Sequence, residues 1–179
     1  MFEEVCLDLG PITLRGRQWG NPNGQPVLAL HGWLDNCASF DFLAPLLSEV
    51  NLVALDLAGQ GMSDHRQQLG AYNIWQDITE IQAAVDKLGW DRFKIIGHSR
   101  GAMIATLYAG SFPSKVSHLA LIEGLGPQGI GPKKLPEQLA SSAQEVLKLT
   151  RRGRNYYETF EDAVSARQRG FLKLGYKDS

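Results

Sequence analysis

Four short apolar runs, each continuous rather than alternating, most limit how this chain can fold. They are Val27–Leu30, Leu52–Leu55, Phe93–Ile96 and Leu119–Ile122. A strand that is covered on both faces has this pattern, because neither face favours polar side chains. Segments with helical spacing separate the runs. This order predicts parallel βαβ units and an α/β fold, with a mostly parallel sheet and flanking helices.

Three helices are predicted between the runs. Residues 73–88 carry isoleucine, valine and leucine at steps of three and four, and Gly89 follows as a stop. Ser39–Glu49 predicts a weaker helix capped by Ser39, because Pro45 interrupts it. The third helix is expected from about Ser99 to Ser111. Upstream, two alternating segments joined by a Gly-Pro turn predict an antiparallel pair at the sheet edge.

The last third of the chain has a different character. Glycines and prolines at positions 124–132 predict a loop, and helical patterns follow at Glu137–Thr150 and Tyr156–Arg169. We therefore expect two parts. An incomplete core occupies residues 1–125, and the start of a helical cap occupies residues 126–179.

Composition excludes several classes of function. Eighteen basic and 19 acidic residues give a net charge of −1, which offers no electrostatic footprint for nucleic acid. Cys6 and Cys37 are too few for a disulfide scaffold or a cysteine-rich zinc site. No apolar run approaches the roughly 18 residues of a membrane span, and the first residues lack a signal-peptide pattern. We expect a cytoplasmic protein without nucleic-acid or membrane partners.

A G-x-S-x-G motif at residues 97–101 carries the strongest chemical signal. It lies between an apolar run and a helical segment. A strand, a sharp turn and a helix expose a hydroxyl at the carboxyl edge of a sheet. Gly97 and Gly101 avoid side-chain collisions in such a turn. This context favours Ser99 as a nucleophile over the alternative, in which the serine caps a helix.

A second motif, His31-Gly32-Trp33, follows the first parallel run. Acyl transfer needs two preorganised N–H donors for the oxyanion. We expect these donors to be the backbone N–H groups of Trp33 and Arg100, the residue after the nucleophile. His31 and Gly32 are interpreted as scaffold that braces the loop. His98 is also interpreted as scaffold, because the turn geometry points it away from the hydroxyl.

A third motif, D-L-A-G-Q-G-M-S at residues 56–63, follows the second parallel run. Aspartate and serine in such a turn bond the local backbone, so Asp56 is interpreted as scaffold. The motif is not G-x-G-x-x-G, and no phosphate-binding loop occurs in the sequence. A nucleotide-binding domain is therefore disfavoured.

The three motifs, in this order and spacing, resemble the α/β-hydrolase superfamily, and L-H-G-W-L-D-N and G-H-S-R-G-A resemble its serine hydrolase-like proteins. The resemblance is dense over residues 10–125, and the helices after residue 132 resemble the start of a cap. It implies an α/β-hydrolase fold, a small-molecule substrate, and no metal or organic cofactor. It also implies a nucleophile, an acid and a histidine in that chain order, with Ser99 as the nucleophile.

Glu123 is a candidate for the acid. The haloalkane dehalogenase-like branch has its catalytic glutamate at the end of the corresponding strand, whereas most of the superfamily has its acid one strand later. A structural role for Glu123 stays open. Dehalogenase activity is disfavoured, because that branch uses an aspartate nucleophile followed by tryptophan, and an asparagine after H-G. This chain has Ser99, Arg100 and Trp33 at those positions.

No histidine of this sequence follows Glu123. The four histidines are His31, His65, His98 and His118. The chain therefore resembles the N-terminal part of a serine hydrolase for carboxylic esters or similar acyl compounds, lacking its catalytic histidine and nearly inactive alone. The alternative is an inactive, truncated hydrolase-like protein that binds a ligand or partner. Self-association through the exposed edge at Leu119–Ile122 is also expected.

Overall fold

A mixed six-stranded sheet organises the computed structural model, which describes residues 1–67, 72–126, 129–152 and 157–168. The strands are β1 Glu3–Asp8, β2 Thr13–Gly20, β3 Gln25–Leu30, β4 Val50–Leu55, β5 Phe93–His98 and β6 Val116–Ile122. Their spatial order is β1-β2-β4-β3-β5-β6. Strands β3 to β6 are parallel, whereas β1 and β2 form the predicted antiparallel pair at one edge.

The two central strands, β3 and β4, explain the continuous apolar runs. Their side chains alternate between two cores on opposite faces of the sheet. One core contains Leu28, Leu30, Val53 and Leu55. The other contains Val27, Ala29, Leu52 and Ala54. Burial on both faces therefore confirms the prediction for these two runs.

Two α-helices pack on one face of the sheet: α1 Ile74–Lys87 and α2 Arg100–Ser111. Asn73 caps α1, since its side chain accepts a hydrogen bond from the Gln76 N–H at 3.1 Å. Isoleucine and valine side chains of α1 face the core at the predicted helical spacing. Both helices lie within a residue of their predicted bounds.

The helix predicted at Ser39–Glu49 is wrong. Two short 3-10 turns, Cys37–Phe40 and Ala44–Leu47, cover the second face of the sheet instead. Asn36, not Ser39, caps the first turn, because its side chain accepts from the Ala38 N–H. Pro45 lies at the start of the second turn, where its missing N–H is tolerated, whereas a continuous α-helix would need that donor.

Strand β6 forms the exposed edge that was expected, but it lacks the cover on both faces that its apolar run predicted. Leu119 and Ile122 are 39% and 43% exposed. Among the described residues β6 pairs with β5 alone, so it forms an edge of the sheet. An edge strand with few packed neighbours can have an apolar sequence without being buried.

Contacts divide the chain into two units, Met1–Leu135 and Pro136–Ser179. Helix α3 spans Leu135–Arg152 and helix α4 spans Phe160–Gln168, with Thr159 accepting from the Asp162 N–H at 3.1 Å. The predicted ends at Tyr156 and Arg169 lie outside the described residues. In the described ranges, no helix has the length and apolar character needed to cross a membrane. The division into core and cap stays a prediction.

Candidate active site

Ser99 lies at the sharp turn between β5 and α2. Its backbone has φ 49° and ψ −111°, in the left-handed region that side-chain-bearing residues rarely adopt. Such a conformation costs roughly 1–3 kcal/mol and persists because its surroundings hold it. The Ser99 N–H donates to the Ile122 carbonyl at 2.8 Å, which ties the turn to the end of β6.

Glycine is required on both sides of Ser99. A Cβ atom at Gly97 would lie 2.6 Å from the Gly101 carbonyl oxygen, and one at Gly101 would lie 2.1 Å from the Leu30 oxygen. Real Cβ atoms do not approach backbone oxygen so closely. The start of α2 is therefore pressed against the end of β3, which brings Ser99 next to the loop that follows β3.

The His31-Gly32-Trp33 loop passes directly beside the turn. A Cβ atom at Gly32 would lie 3.2 Å from His98 Nδ1 and 3.6 Å from Ser99 Cβ. The next residue, Trp33, is 56% exposed, and the Arg100 guanidinium carbon lies 5.3 Å from its ring centroid. Arg100 is the first residue of α2, so its N–H has no acceptor within the helix. The structure thus places Trp33 and Arg100 together beside Ser99.

His31 is fully buried and bonded at both ring nitrogens. Nε2 accepts from the Leu57 N–H at 3.0 Å, so Nδ1 carries the proton that it donates to the Gly32 carbonyl at 2.8 Å. Burial lowers the pKa of His31 because the charged form loses water. The ring joins the loops that follow β3 and β4, and both nitrogens are already used.

Asp56 is the second buried polar residue that joins these loops. Its carboxylate accepts from the Cys37 N–H at 2.6 Å and the Met62 N–H at 2.8 Å, and its carbonyl accepts from the Ser63 hydroxyl at 2.7 Å. A Cβ atom at Gly61 would lie 2.1 Å from that carboxylate. The pKa of the Cys37 thiol is raised to about 12, mainly because the thiol is buried and secondly because it interacts with Asp56. Asp56 organises the loops.

Glu123 follows β6 directly and has φ 53°, again in the left-handed region. Its side chain is 78% exposed, and its carboxylate lies 3.5 Å from His98 Nε2. A Cβ atom at Gly124 would lie 2.9 Å from the Ser99 carbonyl oxygen, so this segment touches the turn. Sequence reasoning did not foresee the approach of His98 to Glu123.

The remaining histidines have other surroundings. His65 Nδ1 lies 3.1 Å from the Tyr72 hydroxyl. His118 pairs with Lys94 in the sheet, five residues before Glu123, or about 16 Å along the strand. Among the described residues, no group of three or more potential metal ligands is assembled.

Sequence reasoning missed a buried ionic cluster behind the turn. Asp77 of α1, 2% exposed, accepts from Arg66 Nη2 at 2.7 Å and also from Arg100 Nη2. Glu80, one helical turn later, accepts from Arg66 Nη2 at 2.6 Å. The available signal was helical spacing, because Asp77 and Glu80 lie on the same face of α1 as Ile81.

Comparison with known proteins adds the family. The sequence profile of the alpha/beta hydrolase fold matches residues 25–173. The chain belongs to this family. A probable serine hydrolase of Drosophila melanogaster is 40% identical over 148 residues, covering 82% of this chain and 45% of the relative. A serine hydrolase-like protein of Homo sapiens is 40% identical over 124 residues, covering 69% and 61% respectively.

Solved structures of this fold agree. The hypothetical protein PA1622 from Pseudomonas aeruginosa PAO1 superposes with a TM-score of 0.89 at 41% identity, covering 97% of this chain and 62% of that protein. A thioesterase domain from the curacin biosynthetic pathway superposes with a TM-score of 0.80 at 25% identity, covering 99% and 64%. The predicted superfamily and fold are confirmed. The chain spans 35% to 61% of the length of its serine hydrolase-like relatives.

Proposed function

We propose that this chain supplies the nucleophile and the oxyanion hole of a serine hydrolase that cleaves a carboxylic ester or similar acyl bond. The supporting observation is the strained backbone of Ser99, held between two obligatory glycines beside the loop that carries Trp33. A serine that merely caps a helix needs neither the strain nor the crowded glycines. The substrate class is a small molecule with an acyl carbonyl.

The reaction follows the chemistry of activated hydroxyls. Ser99 Oγ attacks the carbonyl carbon of the substrate, and a base takes the hydroxyl proton. The N–H groups of Trp33 and Arg100 stabilise the oxyanion that forms. The bond to the leaving group then breaks, and the leaving group departs with the proton. Water attacks the acyl-enzyme, which releases the acid and restores Ser99.

We propose Glu123, or an aspartate later in the protein, as the acid that orients the base. The contact of Gly124 with the turn supports the first choice, because it keeps the residue before it, Glu123, close to Ser99. We propose that the base is not among the four histidines. His31 is bonded at both nitrogens, and His118 lies far along β6 from Glu123. His65 lies against the Tyr72 hydroxyl, and we expect the turn to point His98 away from the Ser99 hydroxyl.

The relatives support the class without deciding the activity. Two are named a probable serine hydrolase and a serine hydrolase-like protein, and one neighbour in structure is a thioesterase domain. Only the thioesterase domain is named for an acyl bond, since a thioesterase cleaves a thioester. Because this chain spans about half the length of such relatives, the activity of the whole protein is part of the proposal.

A fluorophosphonate probe tests the nucleophile. We expect slow covalent labelling at Ser99, located by peptide mass spectrometry, and its loss in Ser99→Ala. The exposed Ser48 offers a matched control, so Ser48→Ala should label like the original chain. Labelling elsewhere, or in Ser99→Ala, would contradict the proposal. A robust esterase rate from chain of verified mass would overturn the proposed absence of the base.

A second candidate is an inactive hydrolase-like chain that binds a ligand or partner. The exposed β6 edge favours it, because Leu119 and Ile122 are accessible on a strand that contains no lysine or proline to protect it. Association of two chains through this edge should appear in light scattering as a concentration-dependent rise in mass. Leu119→Lys should weaken association, and an unchanged mass profile in that variant would contradict the role of this edge.

A further inference from the structure

The buried ionic cluster reaches the candidate site through the side chain of Arg100. Asp77 is held on one carboxylate oxygen by Arg66 and on the other by Arg100. With Glu80 bonded to Arg66, the cluster contains two positive and two negative groups. Such a neutral, hydrogen-bonded cluster is rigid, because displacing one member leaves a buried charge without its partner.

The backbone and the side chain of Arg100 each bear on one of the two proposed oxyanion donors. Its backbone N–H is one proposed donor. Its guanidinium lies over the ring of Trp33, whose backbone N–H is the other proposed donor. Trp33 itself is 56% exposed, so burial does not fix its ring. The guanidinium is the charged group that the structure places against that ring.

The geometry points to Asp77 and the Arg100 guanidinium as a positioning pair that sets the spacing between the two oxyanion donors. This inference rests on the proposed function. Asp77 holds the guanidinium by a hydrogen bond, and the guanidinium, which lies over the indole, holds the ring of Trp33. A planar guanidinium can bond a carboxylate along its edge while its face meets an indole, which an ammonium cannot do. The chain therefore needs arginine at position 100, beyond any need for a positive charge.

Two variants and one control test this pair. Asp77→Asn keeps the shape of the side chain and removes its charge, and Arg100→Lys keeps the charge and removes the planar group. Asp86→Asn breaks a surface ion pair with Lys115 in the same helix and serves as the matched control. The first readout is the rate of fluorophosphonate labelling at Ser99. The second is the fluorescence of Trp33, obtained by subtracting the spectrum of the same protein carrying Trp33→Phe.

We expect Asp77→Asn and Arg100→Lys to slow labelling about 10-fold, since losing an oxyanion donor outright costs about 100-fold or more. Both should shift the Trp33 emission, whereas Asp86→Asn should change neither readout. A wild-type labelling rate in Arg100→Lys would overturn the pair, as would slower labelling with an unchanged Trp33 spectrum. If Asp77→Asn fails to fold, as judged by circular dichroism, Arg100→Lys decides.

The spectrum also separates this inference from the proposed function. Should the unsubstituted chain not label at Ser99, the proposed nucleophile fails, and the Trp33 emission of the two variants still judges the pair. An unchanged emission in Arg100→Lys overturns it whatever Ser99 does.

Discussion

The two sides of the candidate site are built in opposite ways. On the amide side, formed by residues 31–33 and 56–63, His31 and Asp56 are buried. The side chain of each bonds backbone groups of both segments, the one that follows β3 and the one that follows β4. On the acid side, Glu123 is 78% exposed and approaches His98 at 3.5 Å. Donors for an oxyanion must be rigid before the substrate arrives. The described residues therefore preorganise the side that holds the proposed oxyanion donors, whereas few of their contacts hold Glu123, the proposed acid.

Asp56→Ala should produce the largest loss of stability, because it removes the carboxylate that organises the amide side. Removing the carboxylate leaves two N–H groups without their acceptor, that of Cys37 in a buried position and that of Met62 in a partly buried one. Hydrogen bonds to a charged group contribute about 1.5–3 kcal/mol each, so the free energy of unfolding should fall by ~4 kcal/mol. Urea denaturation followed by circular dichroism measures this change.

The control for Asp56 is Asp86→Ala, which truncates an exposed aspartate of α1. Its cost should stay within about 0.5 kcal/mol, as for most surface substitutions. Equal losses in the two variants would show that the burial of Asp56 adds nothing, and the contrast between the two sides would then fail.

Gly101→Ala should rank second and test the contact between α2 and β3. The added Cβ would lie 2.1 Å from the Leu30 oxygen, so helix and strand must separate. Overpacking of this kind costs about 1–3 kcal/mol, and backbone atoms on both sides place this case at the upper end. Denaturant midpoints of the two proteins measure it.

Gly110→Ala, in the same helix, is the matched control. A Cβ atom at Gly110 meets nothing within 4 Å. Alanine favours a helix over glycine by roughly 1 kcal/mol, so this variant should be slightly more stable than the original. Destabilisation by both substitutions would point to the helix itself and not to its contact with Leu30.

Residue patterns could predict the frame of the fold, because local chemistry decides it. The spacing of apolar residues in α1, the runs of β3 and β4, and the glycines around Ser99 each express one local requirement. The helix predicted at Ser39–Glu49 was wrong because other local signals outweighed the apolar spacing. Its apolar spacing suits a helix, but Asn36 starts a tighter turn earlier and Pro45 starts another.

Features that depend on distant parts of the chain could not be predicted. The ionic cluster joins three separate segments, those that carry Arg66, Asp77 and Arg100. The residues next to each of them in the sequence do not indicate its partners. The exposure of β6 contradicts its apolar sequence and agrees with the expected edge, because it depends on which strands lie beside it. The approach of His98 to Glu123 arises because β5 and β6 end at the same edge.

The third prediction concerns the pH dependence of stability and tests the buried His31 of the amide side. Burial lowers the pKa of His31 in the folded chain, while the unfolded chain takes up the proton near pH 6.5. Below that pH the unfolded state binds more protons, so the free energy of unfolding falls as the pH falls, by at most ~1.4 kcal/mol per pH unit. Above it, this histidine adds no pH dependence.

Urea denaturation between about pH 7 and about pH 5 checks this sign. His31→Gln should lower stability throughout and flatten the slope. His118→Gln removes an exposed imidazole from β6 and should keep the slope of the original chain. A slope that survives in His31→Gln would assign the acid sensitivity to other groups.

Glu123→Gln should have the smallest effect on stability and tests the acid side. The exposed carboxylate makes one long contact, so its neutralisation should change the free energy of unfolding by less than about 0.5 kcal/mol. Asp56→Asn, the same loss of charge on the amide side, should cost several times more, because a buried carboxylate that accepts two N–H groups is replaced by an amide with one acceptor oxygen. Chemical denaturation of both proteins measures the difference.

A loss of more than about 1 kcal/mol in Glu123→Gln would mean that Glu123 is held firmly. The acid side would then be as preorganised as the amide side, and the strained backbone of Glu123 would have the same origin as that of Ser99.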